Sequence, residues 1–351
     1  MFRHGLVVGK FWPPHNGHLY LIDTARAQCN TLSIGIVAAE GQHPNGYERV
    51  RCLKEIYGDD FRIRVFLIDE VEDKDGDSAF WARYAIQNIQ ALPDAVFTSE
   101  RYGDPWAAEI TKYGREVIAN EKYLIADQDD TYECKHVMVD FDRTLNPISG
   151  TMVRADPLNY WNFMSDPVKQ IFAKKFVFVG GESCGKTTMS VFMATAFDGS
   201  ATTEAGRSFV EKYGVHEKDR AIWPYILRDQ PEREKLAARH SPSGLVFCDT
   251  DLLLTCVWYQ RWIGADEWYT KILYPKAKEH AKTYEHYILL SHEGVPWIAD
   301  GSRSERENRD FFTYATEKLL TELDLPYTRV EGNWEDRTNQ VRELITKLTV
   351  D

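Results

Sequence analysis

The chain has 351 residues, of which 43% are hydrophobic and 27% charged, and its formal net charge is −12. At roughly 150 residues per domain, this length predicts about two domains, each able to bury its own core. The acidic balance and the lack of a basic cluster argue against a nucleic-acid partner, and no apolar run is long enough to predict a membrane span.

Short β-rich runs alternate with amphipathic stretches through the first half of the chain. This alternation predicts a doubly wound parallel sheet with helices between its strands. The predicted strands are 4–11, 31–39, 62–69, 95–99 and 135–140, and the predicted helices between them include 17–28, 47–57 and 78–90.

A second pattern of the same kind follows residues 156–174, a stretch with two prolines that we expect to join two domains. Its predicted strands are 176–180, 245–249 and 287–291, again with helical segments between them. The predicted fold class is α/β, with two doubly wound parallel-sheet domains in series at 1–168 and 169–351.

The turn after the first predicted strand has the sequence GKFWPPHNGH. It places two histidines beside the start of a helix, where backbone N–H groups favour phosphate, and its glycine allows close backbone approach. A plain turn with helix-capping histidines is the alternative. The candidate nucleotide contacts are Gly9, Lys10, Phe11 and Gly17, and the candidate catalytic residues are His15 and His18.

A second motif, ISGTMVR at residues 148–154, follows the fifth predicted strand. The hydroxyls of Ser149 and Thr151 and the guanidinium of Arg154 would clamp a triphosphate at a helix start, unless the serine is an ordinary N-cap. Together with HNGH, the motif resembles the nucleotidyltransferase superfamily. That resemblance implies transfer of an adenylyl or cytidylyl group from a nucleoside triphosphate, with the two histidines and Arg154 stabilising charge on the phosphates.

The sequence GGESCGKTT follows the apolar run FVFV and has the spacing of a P-loop. Its backbone N–H groups are expected to cradle the β-phosphate, Lys186 to reach the β- and γ-phosphates, and Thr187 to hold Mg²⁺. A simple glycine-rich turn is the alternative. The candidate nucleotide contacts are Gly180, Gly181, Glu182, Ser183, Cys184, Gly185, Thr187 and Thr188.

Acidic residues follow in TEAGR and LVFCDTD, the second at the end of a predicted strand. Metal ligands and substrate-binding acids lie at such strand ends, although each aspartate is also a good helix N-cap. We expect Asp249 to bind Mg²⁺ or its waters, and Glu204 or Asp251 to bind the acceptor's ribose and orient its hydroxyl. Arg207 is a further candidate for substrate binding.

The segment DGSRSERENR brings three arginines together, Arg303, Arg306 and Arg309. It resembles a lid over the phosphates, with Arg303 as a nucleotide contact. The alternative is a charged helix in solvent.

A nucleotidyltransferase motif followed by a P-loop resembles the NadR family over nearly the whole chain. The resemblance is carried by GKFWPPHNGH (9–18), FTSERYG (97–103), DFDRTLNPIS (140–149), YWNF (160–163), FVGGESCGKT (178–187), EAGR (204–207), CDTD (248–251) and DGSR (300–303). It implies a nicotinamide mononucleotide adenylyltransferase followed by a ribosylnicotinamide kinase, with ATP as co-substrate and Mg²⁺. Some members have an N-terminal DNA-binding domain; because this chain starts at the first transferase strand, we expect that role to be absent.

The resemblance also implies sites for the nicotinamide ring. Trp81 is expected to stack on the ring in the transferase, although a tryptophan of the domain core is an equal alternative. In the kinase, Trp262 is expected to form one wall of the ring site. Family members have an aromatic residue where this chain has Thr203, so ribosylnicotinamide is expected to bind more weakly and Thr203→Trp to lower its KM.

Two other functions are open. One is a nucleotidyltransferase for a pantetheine or alcohol phosphate fused to an unrelated kinase, and the other is a regulator whose kinase half binds ATP without turnover. In each case the partners are small molecules, and a homo-oligomer is left open. The six cysteines have no metal-binding spacing and no signal peptide is predicted, so a reduced, cytoplasmic protein is expected.

Overall fold

A computed structural model of the chain describes residues 1–72, 74, 76–121, 132–214, 219–297 and 308–350. The chain divides into two compact units, Met1–Ile171 and Phe172–Asp351, and each contains a five-stranded parallel sheet. The predicted fold class is therefore confirmed. In the part of the chain that is described, no helix has the length and apolar character needed to cross a bilayer.

The first unit has the strand order β3-β2-β1-β4-β5. Its strands are β1 (Phe2–Gly9), β2 (Cys29–Ala38), β3 (Ile63–Asp69), β4 (Ala95–Thr98) and β5 (Lys135–Met138). Its helices are α1 (Asn16–Gln28), α2 (Gly46–Tyr57), α3 (Ser78–Ile89), α4 (Gly103–Glu121), α5 (Gly150–Ala155) and α6 (Asp166–Phe172), the last of which ends at the start of the second unit. The strand order reverses direction beside β1, so the turn after β1 lies at the switch point where ligands bind in such sheets.

The second unit has the strand order β10-β9-β6-β8-β7. Its strands are β6 (Lys174–Val179), β7 (Ser200–Thr202), β8 (Leu245–Asp249), β9 (His286–Leu290) and β10 (Tyr327–Val330). Its helices are α7 (Lys186–Ala196), α8 (Ala205–Tyr213), α9 (Ile222–His240), α10 (Leu252–Trp262), α11 (Tyr274–Ala281), α12 (Arg309–Glu322) and α13 (Trp334–Val350). The P-loop follows the central strand β6, again at a switch point.

The cores consist of the apolar runs that predicted the strands. The side chains of Phe176 to Val179 in β6 and of Val246 to Cys248 in β8 are fully buried, because helices cover both faces of a parallel sheet. All six cysteines are buried and none forms a disulfide.

The segment expected to join the domains belongs largely to the first unit. It contains a short 3₁₀ turn at Trp161–Phe163, and the side chains of Trp161 and Val168 are buried. Asn16 on α1 donates a hydrogen bond to the carbonyl of Asn162 at 3.3 Å. Pro157 lies in a turn and Pro167 in the first turn of α6, so both belong to a packed segment and not to an exposed linker.

Candidate active sites

Two histidines meet at the carboxyl edge of the first sheet, in the turn between β1 and α1. The rings of His15 and His18 stack with their centroids 3.7 Å apart, and the ring of Phe11 packs on His18 at 4.9 Å. His15 is at the N-cap of α1, but its side chain makes no capping hydrogen bond, so the alternative of capping histidines does not hold for it. Both Nδ1 atoms are buried and have no hydrogen-bond partner among the described residues.

Both imidazoles are neutral near pH 7. Burial, assisted by the charge of Arg143, lowers the pKa of His15 to about 4. Burial also holds the pKa of His18 well below its ordinary value, with smaller contributions from His15 and Arg143. A neutral imidazole has one N–H donor and one acceptor, so the pair can still donate hydrogen bonds to a phosphate.

A cation that our sequence reasoning missed faces the histidine pair. Arg143 lines the same cavity of about 230 Å³, and its guanidinium donates to the Glu100 carboxylate at 2.9 Å. The loop around it is ordered by Asp140, whose carboxylate accepts hydrogen bonds from the backbone N–H groups of Thr144, Leu145 and Asn146. The only signal for Arg143 in the sequence was its place in the DFDRTLNPIS segment.

The cavity collects most of the residues predicted for this site. Those that line it are Gly9, Lys10, Phe11, His15, Gly17, His18 and Ser149. Phe11 contributes through its backbone, because its side chain is only 1% exposed and packs in the core. The Lys10 ammonium forms an ion pair with Glu70 at 2.6 Å.

The second motif packs directly against the first. Only glycine fits at position 150, because a Cβ there would collide with the carbonyl of Trp12. The Ser149 hydroxyl accepts a hydrogen bond from the backbone N–H of Met152 at 3.2 Å, so Ser149 is the N-cap of α5, as the alternative interpretation allowed. Its own O–H can still donate to a ligand.

Arg154 and Thr151 lie beside this cavity and do not line it. The Arg154 guanidinium carbon lies 3.7 Å from the centroid of the Trp12 ring, and its N–H groups donate to the Trp12 carbonyl and to Thr151 Oγ1. In this arrangement the guanidinium supports the turn of the first motif. Its contact with a triphosphate stays a prediction.

Trp81 is the fourth residue of α3 and does not line the histidine cavity. Its indole N–H donates to the carbonyl of Lys74 at 2.8 Å, and its ring meets those of Phe80 and Tyr84 edge to face. It packs against the buried cluster between α3 and α4. Stacking on a nicotinamide ring stays a prediction, which Trp81→Phe would test through the KM for the mononucleotide.

The P-loop of the second unit has its reactive side chains gathered at the ends of β6 and β8. The Lys186 ammonium donates to the carbonyls of Gly180 and Gly181 at 3.2 and 2.9 Å. The Thr187 hydroxyl donates to Asp249 Oδ2 at 2.5 Å. Asp249 is 3% exposed, and its Oδ1 has no hydrogen-bond partner among the described residues.

These atoms fit a magnesium ion. Mg²⁺ prefers oxygen ligands and is usually held by one or two carboxylates together with substrate phosphates. Asp249 and Thr187 supply such oxygens, and the second Asp249 oxygen is buried and unpaired. In the described part of the chain, no cluster of three or more His, Cys, Asp or Glu side chains is arranged to bind a metal by itself.

Glu204 lines the cavity beside the P-loop, at the N-cap position of α8. Its side chain makes no capping hydrogen bond and lies 3.9 Å from Arg207. Burial in the pocket and the nearby Asp249 charge raise the pKa of Glu204. The first N–H group of α8, on Ala205, donates to Gln230 of α9 at 3.0 Å, which fixes the start of the helix.

Of the two residues expected to bind the ribose, Glu204 lines the cavity and Asp251 does not. The Asp251 side chain is 1% exposed. One carboxylate oxygen caps α10 by accepting from Leu254 N at 2.8 Å, and the other accepts from the Tyr287 hydroxyl at 2.8 Å. Asp251 is itself extended, but Thr250 before it has a positive φ of +74°, which breaks the alternation that would have put Asp251 on the same side as Asp249.

The P-loop cavity of about 160 Å³ has an aromatic wall. Trp223 of α9 and Trp258 and Trp262 of α10 line it, with Trp262 4.6 Å from Trp258 and 5.9 Å from Trp223 between ring centroids. Of these three tryptophans, only Trp262 was predicted from the sequence. The spacing of four residues within WYQRW predicts that Trp258 shares its helix face.

Of the remaining candidates, some line this cavity and others lie outside it. The predicted residues that line it are Glu182, Ser183, Gly185, Lys186, Thr187, Thr188, Glu204, Arg207 and Trp262. Gly180, Gly181 and Cys184 belong to the P-loop but are buried and do not line the cavity. Thr203 is exposed, accepts a hydrogen bond from Arg233 at 2.7 Å and does not line the cavity. The lack of an aromatic side chain at position 203 therefore does not deprive the cavity of a wall.

The predicted lid lies mostly outside the described residues, since it includes Arg303 and Arg306. Arg309 is described, and it does not lie in solvent. It is the first residue of α12, is 9% exposed, and donates to the carbonyls of Glu182 and Ser183.

The sequence matches two families. The match to the family described as cytidylyltransferase-like covers residues 6–156, and the match to the family described as an AAA domain covers residues 175–337. These limits contain the histidine turn and the P-loop, respectively.

Relatives of similar length contain both parts. The trifunctional NAD biosynthesis/regulator protein NadR of Escherichia coli strain K12 is 26% identical over 98% of this chain and 83% of its own length. Its namesake in Salmonella typhimurium strain LT2 is 27% identical over the same shares. A crystal structure of a NadR protein in complex with NR has a TM-score of 0.76 at 18% identity, covering 99% of this chain and 96% of that one. The chain is therefore a homologue of the NadR proteins.

Proposed function

We propose that the chain carries two ATP-dependent activities of NAD biosynthesis. The first unit, with domain limits near residues 1–168, transfers the adenylyl group of ATP to nicotinamide mononucleotide and forms NAD and pyrophosphate. The second, near residues 169–351, phosphorylates ribosylnicotinamide to that mononucleotide. The observation that carries the proposal is the presence of two separately built phosphate sites on a chain that aligns with NadR proteins along 98% of its length.

In the first reaction, a phosphate oxygen of the mononucleotide attacks the α-phosphorus of ATP and pyrophosphate leaves. No covalent enzyme intermediate and no proton transfer to a side chain are required. His15 and His18 donate hydrogen bonds to the phosphates as neutral imidazoles, and Arg143 supplies a fixed positive charge beside them. Such pre-oriented donors lower the barrier because they need no reorganisation as charge develops.

In the second reaction, the 5′-hydroxyl of ribosylnicotinamide attacks the γ-phosphorus of ATP, and ADP leaves as the bond to the β–γ bridging oxygen breaks. Lys186 exchanges its loop carbonyls for the phosphates, and Glu204, whose pKa is raised, accepts the hydroxyl proton. Thr187 and Asp249 would hold Mg²⁺, which would neutralise charge on the phosphates when bound. The three tryptophans provide flat faces for a cationic pyridinium ring.

The six buried cysteines form no disulfide, which supports a reducing, cytoplasmic location for the chain.

The test is incubation of the purified protein with ribosylnicotinamide, ATP and Mg²⁺, with all products quantified over time. The mononucleotide followed by NAD is the expected result. Parallel incubations contain phosphopantetheine with ATP, or an alcohol phosphate with CTP. Formation of dephospho-coenzyme A or a CDP-alcohol there, with no NAD formed from the mononucleotide, would indicate the other fusion. ATP binding without any product would indicate a regulator and contradict the proposal.

A further inference from the structure

The outer side of the P-loop is held by two buried arginines from distant parts of the chain. Arg309, at the start of α12, donates to the carbonyls of Glu182 and Ser183, both at 3.0 Å. Arg337, on α13, donates to the carbonyl of Cys184 at 3.1 Å. Three consecutive carbonyls of the loop are therefore bound by guanidinium groups.

The same arginines are anchored to the surrounding loops. Arg309 also donates to the carbonyl of Val295 at 3.2 Å, and Arg337 to those of Gly332 and Glu293 at 2.7 and 2.9 Å. Their side chains are 9% and 2% exposed, and burial lowers the pKa of Arg337. A cation in such a place is costly unless its hydrogen bonds are made, so these contacts define one geometry.

The direction of the carbonyls fixes the direction of the amides. Across a planar trans peptide, a C=O group and the following N–H group point in opposite directions. Carbonyls of residues 182–184 that point to Arg309 and Arg337 therefore direct the N–H groups of residues 183–185 to the opposite side. On that side lies the cavity, which Glu182, Ser183 and Gly185 line and the two arginines do not.

We propose that Arg309 and Arg337 are positioning residues for the P-loop, here called the carbonyl clamp, which set three successive N–H groups to receive the phosphates of ATP. The positive φ of Ser183, +56°, is a conformation that a free loop with a serine rarely adopts, so the loop needs such support. This inference rests on the proposed kinase activity for its main readout. The clamp touches no substrate; it acts through the backbone.

The test compares Arg337→Met, Arg337→Lys, Arg309→Met and Arg309→Lys with the wild type. Arg342→Met is the matched control, because Arg342 is on the same helix but is exposed, with its guanidinium 5.3 Å from the Phe192 ring. Initial rates of ribosylnicotinamide phosphorylation are measured with ATP and acceptor varied separately. Thermal unfolding and adenylyl transfer are recorded for each variant.

The methionine variants should raise the KM for ATP by on the order of 10- to 100-fold, the usual loss for charge-assisted hydrogen bonds. The KM for ribosylnicotinamide should change by no more than about twofold, and the lysine variants should recover part of the affinity for ATP. A purely structural role would lower the melting temperature without this split between the two substrates. An unchanged KM for ATP in folded methionine variants would overturn the clamp.

The clamp can fail independently of the proposed function. If the wild type phosphorylates no ribosylnicotinamide, the proposed kinase activity is wrong. The variants are then titrated with AMP-PNP, and the site is identified as the one lost in Lys186→Ala. Weaker binding at that site in the methionine variants supports the clamp, and equal binding overturns it.

Discussion

His15 and His18 occupy the first site without charge, because burial lowers the pKa of both. A sequence motif cannot specify this state, since the same two residues on an exposed turn would titrate near their ordinary pKa. In the proposed reaction, charge on the phosphates is then met by Lys10 and Arg143, which line the same cavity, and the fold brings Arg143 there from another loop. The chemistry of the site thus depends on a residue outside the motif that predicted it.

Burial of His15 makes stability depend on pH. The folded pKa of about 4 is below the unfolded value, so between about pH 4 and 6.5 the unfolded chain binds more protons. The free energy of unfolding therefore has its full value with respect to His15 above about pH 6.5, and it decreases as the pH falls toward the folded pKa. His15→Gln should remove this dependence, because glutamine does not titrate. On acidification the wild type should lose up to about 3 kcal/mol of unfolding free energy that the variant does not lose.

Chemical denaturation at a series of pH values measures this effect. His43→Gln is the matched control, because the His43 side chain is 69% exposed. Parallel pH curves for the wild type and His15→Gln would contradict the assigned burial.

Asp249 and Asp251 are two residues apart and have different roles in the structure. Asp249 pairs with Thr187 beside the P-loop, whereas Asp251 caps α10. Asp249→Asn should lower the kcat for ribosylnicotinamide phosphorylation by about 100- to 1000-fold, because the site loses the carboxylate expected to bind Mg²⁺. Asp251→Asn keeps an effective N-cap and should change kcat by less than about threefold.

Steady-state kinetics on both variants, with circular dichroism to check folding, measure the contrast. A large loss of kcat in folded Asp251→Asn, with Asp249→Asn nearly normal, would reverse the assignment. The sequence does not separate the two residues, because the difference depends on the positive φ of +74° at Thr250 between them.

Among the elements, the eight predicted strands and the three helices predicted with bounds, 17–28, 47–57 and 78–90, match the structure to within a few residues, because their apolar patterns are periodic. The missed strands are β7 and β10, with three and four residues, which are too short to show a period and have polar residues within them. The aromatic wall was also only partly predicted. Its tryptophans come from α9 and α10, and the contact between Trp223 and Trp262 depends on how those helices pack.

This wall changes the expectation for Thr203. Because Thr203 is exposed outside the cavity, Thr203→Trp should leave the KM for ribosylnicotinamide within about twofold of the wild type. Trp262→Ala should raise that KM by about 2- to 30-fold, the loss expected for a cation–π contact of about 0.5–2 kcal/mol. The KM for ATP is the internal control. A lower KM in Thr203→Trp would restore the original interpretation, in which that position forms a wall.

At the scale of the whole molecule, both motifs were predicted to lie at strand-to-helix turns, and both do. Parallel sheets place such turns at their carboxyl edges, so the location of each site follows from local sequence and fold class together. The residues that support each site cannot be located from local sequence and fold class. Arg337 is 153 residues from the Cys184 carbonyl that it holds, and no local pattern connects the two.

Two separately built sites predict that the activities can be divided between molecules. Lys186→Ala should abolish phosphorylation of ribosylnicotinamide and keep adenylyl transfer, and His18→Ala should do the reverse, with losses of about 100- to 1000-fold.

Neither variant alone should convert ribosylnicotinamide to NAD at an appreciable rate. An equimolar mixture should recover the conversion, because the mononucleotide made by one variant can diffuse to the other. The lag before NAD appears should shorten as the total protein concentration rises. If both single variants are folded and keep their remaining activity, yet the mixture forms no NAD, then the intermediate does not pass through solution and the two sites must operate within one molecule.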